Sequence, residues 1–114
     1  MANEAKKLLV EARKLISNER CWTQKATAKK LAYDGYLEAT IATDPDACQW
    51  CASGAVEKVF ASWDSPYSGF RKQAISALDM ASSGHRSIIG LNDYCHTTHD
   101  QVLAVFDKAI AKLS

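Results

Sequence analysis

Three of the four cysteines and two of the three histidines in this chain fall in two short segments. Cys48 and Cys51 lie in Asp46-Ala-Cys-Gln-Trp-Cys-Ala-Ser-Gly54. Cys95, His96 and His99 lie in Gly90-Leu-Asn-Asp-Tyr-Cys-His-Thr-Thr-His99. Thiolate and imidazole are zinc ligands, so Cys48, Cys51, Cys95 and His99 are the types that fill a tetrahedral site. The spacing argues against it. Compact zinc modules set their first cysteine pair on a tight turn, whereas Cys48 and Cys51 fall on the apolar stripe of an expected helix. Unbridged cysteine is among the most buried residue types, so core packing is the preferred reading of both.

A second chemistry uses some of the same residues. Cys51, His99 and Asn92 have the types of a cysteine-nucleophile triad. Activating the thiol calls for a feature such as a helix N-terminus. The expected helix puts Cys51 about two turns in, where the dipole has faded. Cys48 is nearer the start, but Asp44 and Asp46 oppose its thiolate. No catalytic residue, bound metal or cofactor is therefore expected. A third reading is a polar cluster of Arg86, Asn92, Asp93 and His99 around one loop. Such residues either satisfy backbone groups in a turn or line a pocket for a small ligand or a partner's side chain.

The elements that must position these residues read mainly as helices. Ala5, Leu8, Leu9, Ala12, Leu15 and Ile16 recur at helical spacing, with Asn3 as the cap and Asn18 near the stop. Residues 21–43 are less regular. Asp34-Gly35 is a turn signal, and a short β-hairpin over 26–37 competes there with a long structured loop. Asp44-Pro45 reads as the start of a second helix, with a stripe of Cys48, Cys51, Ala52, Ala55, Val56, Val59, Phe60 and Trp63. Gly54 and the alanines would let a neighbouring element approach closely. Ser65-Pro66 starts a third helix in the same way, its stripe being Phe70, Ala74, Ala77, Leu78 and Ala81, and Ser82-Ser83-Gly84 ends it. A compact loop over 85–96 follows. The last helix begins at Thr97 or Thr98, where either Thr97 with Asp100 or Thr98 with Gln101 makes a capping-box-like pair, and buries Val102, Leu103, Phe106, Ala109, Ile110 and Leu113.

The expected fold is thus all-α or mostly α: one domain over 1–114, an irregular bundle of about four helices, with a hairpin near 26–37 at its side. A chain of 114 residues buries roughly two-thirds of its surface on folding, enough for a core without staples. The N-terminus has no apolar h-region and no run spans a bilayer, so the expected place is the cytoplasm, with reduced cysteines and no membrane contact. The net charge of +1 argues against a polyanion binder such as a nucleic-acid protein. The distribution is uneven. Residues 1–30 hold eight basic residues and three acids, and residues 31–66 hold six acids against Lys58 alone. Opposite-sign regions attract each other within a fold or across a homo-oligomer. Trp22, Trp50, Trp63, Tyr33, Tyr36, Tyr67 and Tyr94 sit mostly near helix ends or in loops. An exposed aromatic such as Trp50 or Tyr67 can anchor a protein interface.

Three short motifs give the chain a resemblance. Trp22-Thr-Gln24 follows the first helix. Asp46-Ala47 leads into Trp50-Cys-Ala-Ser-Gly-Ala55. Leu91-Asn92-Asp93 precedes a loop and Thr98-His-Asp-Gln-Val102. In this the chain resembles a family of small uncharacterised bacterial and phage proteins, classed as a domain of unknown function. Leu91 stands where that pattern has Trp, and Cys48, Cys95 and His96 lie outside it. The resemblance implies a bacterial or phage cytoplasm and brings no activity. It adds Trp22, Gln24, Trp50 and Cys51 to Arg86, Asn92, Asp93 and His99 as candidate binding residues. The expected function is a non-enzymatic protein that binds another protein, with antagonism of a bacterial defence system as the setting. A small-ligand pocket is the first alternative, a zinc-stabilised module the second.

Overall fold

The structure, a computed structural model, describes residues 4–114. It is a mixed α/β globule of five helices and one three-stranded antiparallel sheet, which corrects the all-α expectation. Helix α1 (Glu4–Leu15) leads through a 3-10 turn (Glu19–Cys21) to strands β1 (Ala28–Leu31), β2 (Leu37–Thr40) and β3 (Ala47–Trp50). Helices α2 (Ala52–Ser62), α3 (Gly69–Ala81), α4 (Ile88–Asp93) and α5 (His99–Lys112) follow. The Asn3 cap lies outside the described residues.

The helical stripes build the core. Leu8, Leu9, Ala12 and Ile16 meet Ala55 and Val56 of α2, Ala74 and Leu78 of α3, and Val102, Phe106 and Ala109 of α5, all fully buried. Helix α1 packs against α2, α3 and α5, and α2 also touches α3, α4 and β3. Of the two capping pairs that the sequence offers, Thr98 with Gln101 forms. Thr98 Oγ1 accepts from the Gln101 N–H at 3.2 Å, and Gln101 Oε1 accepts from the Thr98 N–H at 2.9 Å. The third helix begins later than Ser65-Pro66 suggests. Ser65 Oγ instead accepts from the Tyr67 N–H in a turn, and α3 starts at Gly69. Within the expected 85–96 loop, Ser87 caps the short α4 by accepting from the Gly90 N–H at 3.1 Å.

The hairpin stands where Asp34-Gly35 places it, extended to Thr40. Ala32 accepts from the Gly35 N–H and donates to Tyr36, and Gly35 takes φ +86°. That is a three-residue loop with a left-handed glycine. The largest departure is at Asp44-Pro45. This pair starts no helix. The Asp44 carbonyl accepts from the Ala47 N–H and its Oδ1 from the Asp46 N–H at 2.9 Å. Asp followed by Pro suits the first two positions of a reverse turn as well as a helix start. The turn sends 47–50 back along β1 as β3, so the sheet order is β2-β1-β3. Cys48 is consequently exposed on an edge strand, not buried in a helix stripe. Trp50 is 7 % exposed, not a surface anchor, and its Nε1 donates to the Ala42 carbonyl at 3.0 Å.

Asp44 ties this turn to the hairpin. The Thr40 hydroxyl, the Asp46 N–H and Lys30 (Nζ to Oδ2 3.4 Å) all favour its ionised form and hold its carboxyl below the ordinary 3.8. A group with a depressed folded value supports the fold above its unfolded value and loses that support as pH falls through the folded one. Amide shifts of Thr40 and Asp46, followed by NMR, are therefore expected to move together below pH 3.8, and Asp44→Asn should abolish that coupled movement.

Candidate functional site

The structure gathers most of the singled-out residues at one place, where the 22–27 segment crosses α4 and the start of α2. Helix α2 begins because Cys51 has extended backbone and caps it. Its Sγ accepts from the Gly54 N–H at 3.3 Å and lies 3.3 Å from Ser53 Oγ. Cys51 is thus at the first turn, and the expected two-turn offset is overturned. It is also 6 % exposed.

Asn92 is the centre. It is fully buried near the end of α4. Its Oδ1 accepts from Trp22 Nε1 at 2.8 Å and from the Ala52 N–H at 3.1 Å. Its Nδ2 donates to the Thr23 carbonyl and to Asp93 Oδ1, each at 3.0 Å. A carboxamide has two donor hydrogens and two acceptor lone pairs, so all of its capacity is used within the fold. Asp93 Oδ1 also accepts from the Lys25 N–H at 2.8 Å. That bond holds Lys25 at φ +64°, a left-handed conformation that side chains disfavour. Gln24 Nε2 donates to the carbonyls of Asn92 (2.8 Å) and Tyr94 (3.0 Å), which α4 leaves free at its end.

His99 joins from α5. Its Nε2 lies 2.6 Å from the Ile16 carbonyl, and its ring is 5.6 Å from Trp22, tilted by 43°. A carbonyl only accepts, so Nε2 carries the proton in the neutral ring. His99 thereby closes the end of α1 onto α5. Gly54 completes the junction. A Cβ at that position would run into the Thr27 carbonyl oxygen, which accepts from the Cys51 N–H at 3.1 Å. The close approach read from the sequence at Gly54 is that of Thr27, the residue just before β1.

Seven of the eight candidates, namely Trp22, Gln24, Trp50, Cys51, Asn92, Asp93 and His99, thus fasten segments of the chain to one another. Arg86 is exposed and does not enter the network. The zinc set is not assembled: Cys48 and Cys95 are exposed, Cys51 is buried, and among the described residues no three His, Cys, Asp or Glu side chains gather as metal ligands. Cys51 and His99 belong to this junction, yet their bonds go to Gly54, Ser53 and Ile16 and not to each other.

Two surface features lie outside that network. One is the hairpin, where Leu31, Tyr33, Tyr36 and Leu37 project into solvent, joined by Ile41 just after it. Tyr33 and Tyr36 were noted as loop aromatics, but Leu31, Leu37 and Ile41 were missed. For Leu37 and Ile41 the run Tyr36-Leu-Glu-Ala-Thr-Ile41 was the signal, with apolar residues at alternate positions 37, 39 and 41. The other is a groove of about 500 Å³ floored by Ile41, Ile75 and Ile89, with Ser53 and the Glu57–Arg71 ion pair (2.8 Å) on its walls. Among the described residues no helix is long and apolar enough to cross a membrane.

A family model described as "Family of unknown function (DUF6197)" matches residues 1–112. No curated protein and no solved structure matches the chain.

Proposed function

The chain belongs to the DUF6197 family, whose function is unknown, and we propose that it works by binding another protein through the face of its β-hairpin. One observation carries this reading. Leu31 (66 % exposed), Tyr36 (76 %) and Leu37 (45 %) stand uncovered on a well-formed hairpin. Large exposed apolar side chains clustered on one element are a feature of protein interaction sites. The Asn92 network has the opposite character. Its central amide has no hydrogen-bonding capacity left for a substrate, which supports a non-enzymatic role. The motif resemblance supports a bacterial or phage cytoplasm, and a component of a host defence system as the partner.

A photo-crosslinking residue at Tyr36 tests the proposal in cells that make the protein. The expected result is one dominant crosslinked protein from position 36 and none from the same residue at Lys108 on α5. Equal crosslinking from both sites, or none from Tyr36, contradicts it. A second reading, a small-ligand protein, is favoured by the groove between Ile41 and Ile89, whose volume lies within the range of ligand sites. It predicts a small added mass in a native spectrum that Arg71→Ala removes.

A further inference from the structure

Strand β2 is an edge strand with an open side. Its backbone groups divide by the pattern of the ladder. Ala32 donates to Tyr36, and the register pairs Lys30 with Glu38 and Ala28 with Thr40. In an antiparallel pair these alternate positions exchange the bonds with β1, so Leu37 and Ala39 turn their N–H and C=O groups outward. The Ile41 N–H also has no backbone partner among the described residues, although its carbonyl accepts from Asp44. The side chains divide too. Ala28 and its partner Trp50 face the core, so the Leu31–Leu37 and Lys29–Ala39 pairs share the outer face. Five of the nine exposed large apolar side chains among the described residues lie between 31 and 41.

Resting on the reading of the hairpin as a binding face, we propose that the occupant of this edge is a second copy of the chain, paired antiparallel through β2 about a two-fold axis at Ala39. The strand is self-complementary in that register. Ala39 meets Ala39, Glu38 meets Thr40, and Leu37 meets Ile41 of the second copy. The outward groups of Ala39 bond each other, and each Ile41 N–H reaches a Leu37 carbonyl, for about four backbone bonds. The apolar row Leu31–Leu37 continues into the second copy's Ile41. Shifting the axis to Glu38 keeps the number of bonds but sets two carboxylates directly opposite, which destabilises an antiparallel pair. Charge therefore selects the register with its axis at Ala39 over the one with its axis at Glu38. The product is one six-stranded sheet with no open β2 edge.

Native mass spectrometry and light scattering across the micromolar range test this. Wild type is expected to pass from monomer to dimer as concentration rises. Ala39→Pro removes the N–H at the axis, which the internal ladder does not use, so the fold persists. It should weaken the dimer at least about tenfold. In a Cys48→Ser, Cys95→Ser background, Ala39→Cys should oxidise to a linked dimer, because hydrogen-bonded partners sit about 5.5 Å apart at Cα. Wild type that stays monomeric throughout, a dimer unaffected by Ala39→Pro, or linkage through Glu38→Cys in place of Ala39→Cys overturns the proposal. A monomeric protein that still crosslinks a foreign partner from Tyr36 overturns the dimer alone. Failure of the binding reading appears as loss of that crosslink.

Discussion

Asn92→Leu is expected to lower folding stability by about 4 kcal/mol, since each buried polar group left without its partner costs about 1–3 kcal/mol. Leucine keeps the volume but abandons three groups: the Trp22 indole N–H, the Ala52 N–H and the Thr23 carbonyl. Ala52 is fully buried and Thr23 is 5 % exposed, so water cannot easily replace the lost bonds. A domain of this size has a total stability of about 5–15 kcal/mol, so the variant should be near the edge of folding. Urea unfolding of Asn92→Leu beside Asp93→Ala checks the ranking. Asp93→Ala takes the acceptor from the Lys25 N–H and from one Asn92 Nδ2 hydrogen, at a partly exposed site that water can reach, and should cost about 2 kcal/mol. A loss below 1 kcal/mol for Asn92→Leu would mean that the network is not what joins the 22–27 segment to α4 and α2.

Gly54→Ala has a sign on which two effects disagree. Helix propensity alone predicts a gain of about 1 kcal/mol, because alanine suits a helix better than glycine. The new methyl group, however, would overlap the Thr27 carbonyl oxygen, a backbone atom that cannot rotate away. Overpacking of this kind costs about 3 kcal/mol when backbone must shift. The contact is expected to win, and the variant to be clearly destabilised. Thermal unfolding at matched conditions reads the sign directly. A stabilised Gly54→Ala protein would show that the backbone at Thr27 and α2 are not pressed together at this point.

Long periodic stretches were readable from sequence alone. Helices α1 and α5 carry apolar residues on one face over three or more turns, and the Thr97-Thr98 pair marks the start of α5 to within one residue. The hairpin turn was readable at Asp34-Gly35, but the third strand and the strand bounds were not, for three physical reasons. The strands have four residues each, too few for a period to register. Strand β1 carries Lys29 and Lys30 side by side, and the apolar alternation of β2 has no buried face behind it. Asp44-Pro45 fits a helix start and a reverse turn equally well by local chemistry, and only the pairing of β3 with β1 decides between them. That single ambiguity displaced Cys48, Trp50 and Cys51 together. Cys51 as a cap had no sequence signal at all, because a thiol is a weak acceptor seldom used there. Asn92 and Asp93 were recognisable as residues that satisfy backbone in a turn, but not the 70-residue separation from Trp22 that the bond spans.

The central claim divides the molecule in two: a buried network that holds the fold and a hairpin face that binds. The most direct test changes the face and leaves the network intact. Leu31→Lys with Leu37→Glu exchanges a cross-strand apolar pair for one of opposite charge, which the strand geometry accepts. Thermal unfolding and partner crosslinking from Tyr36 would be measured on the same purified variant and on wild type. The account predicts a melting temperature within a few degrees of wild type, a shift of under about 1 kcal/mol, together with loss of the crosslinked partner. Retention of the partner at wild-type yield would contradict the assignment of binding to the hairpin.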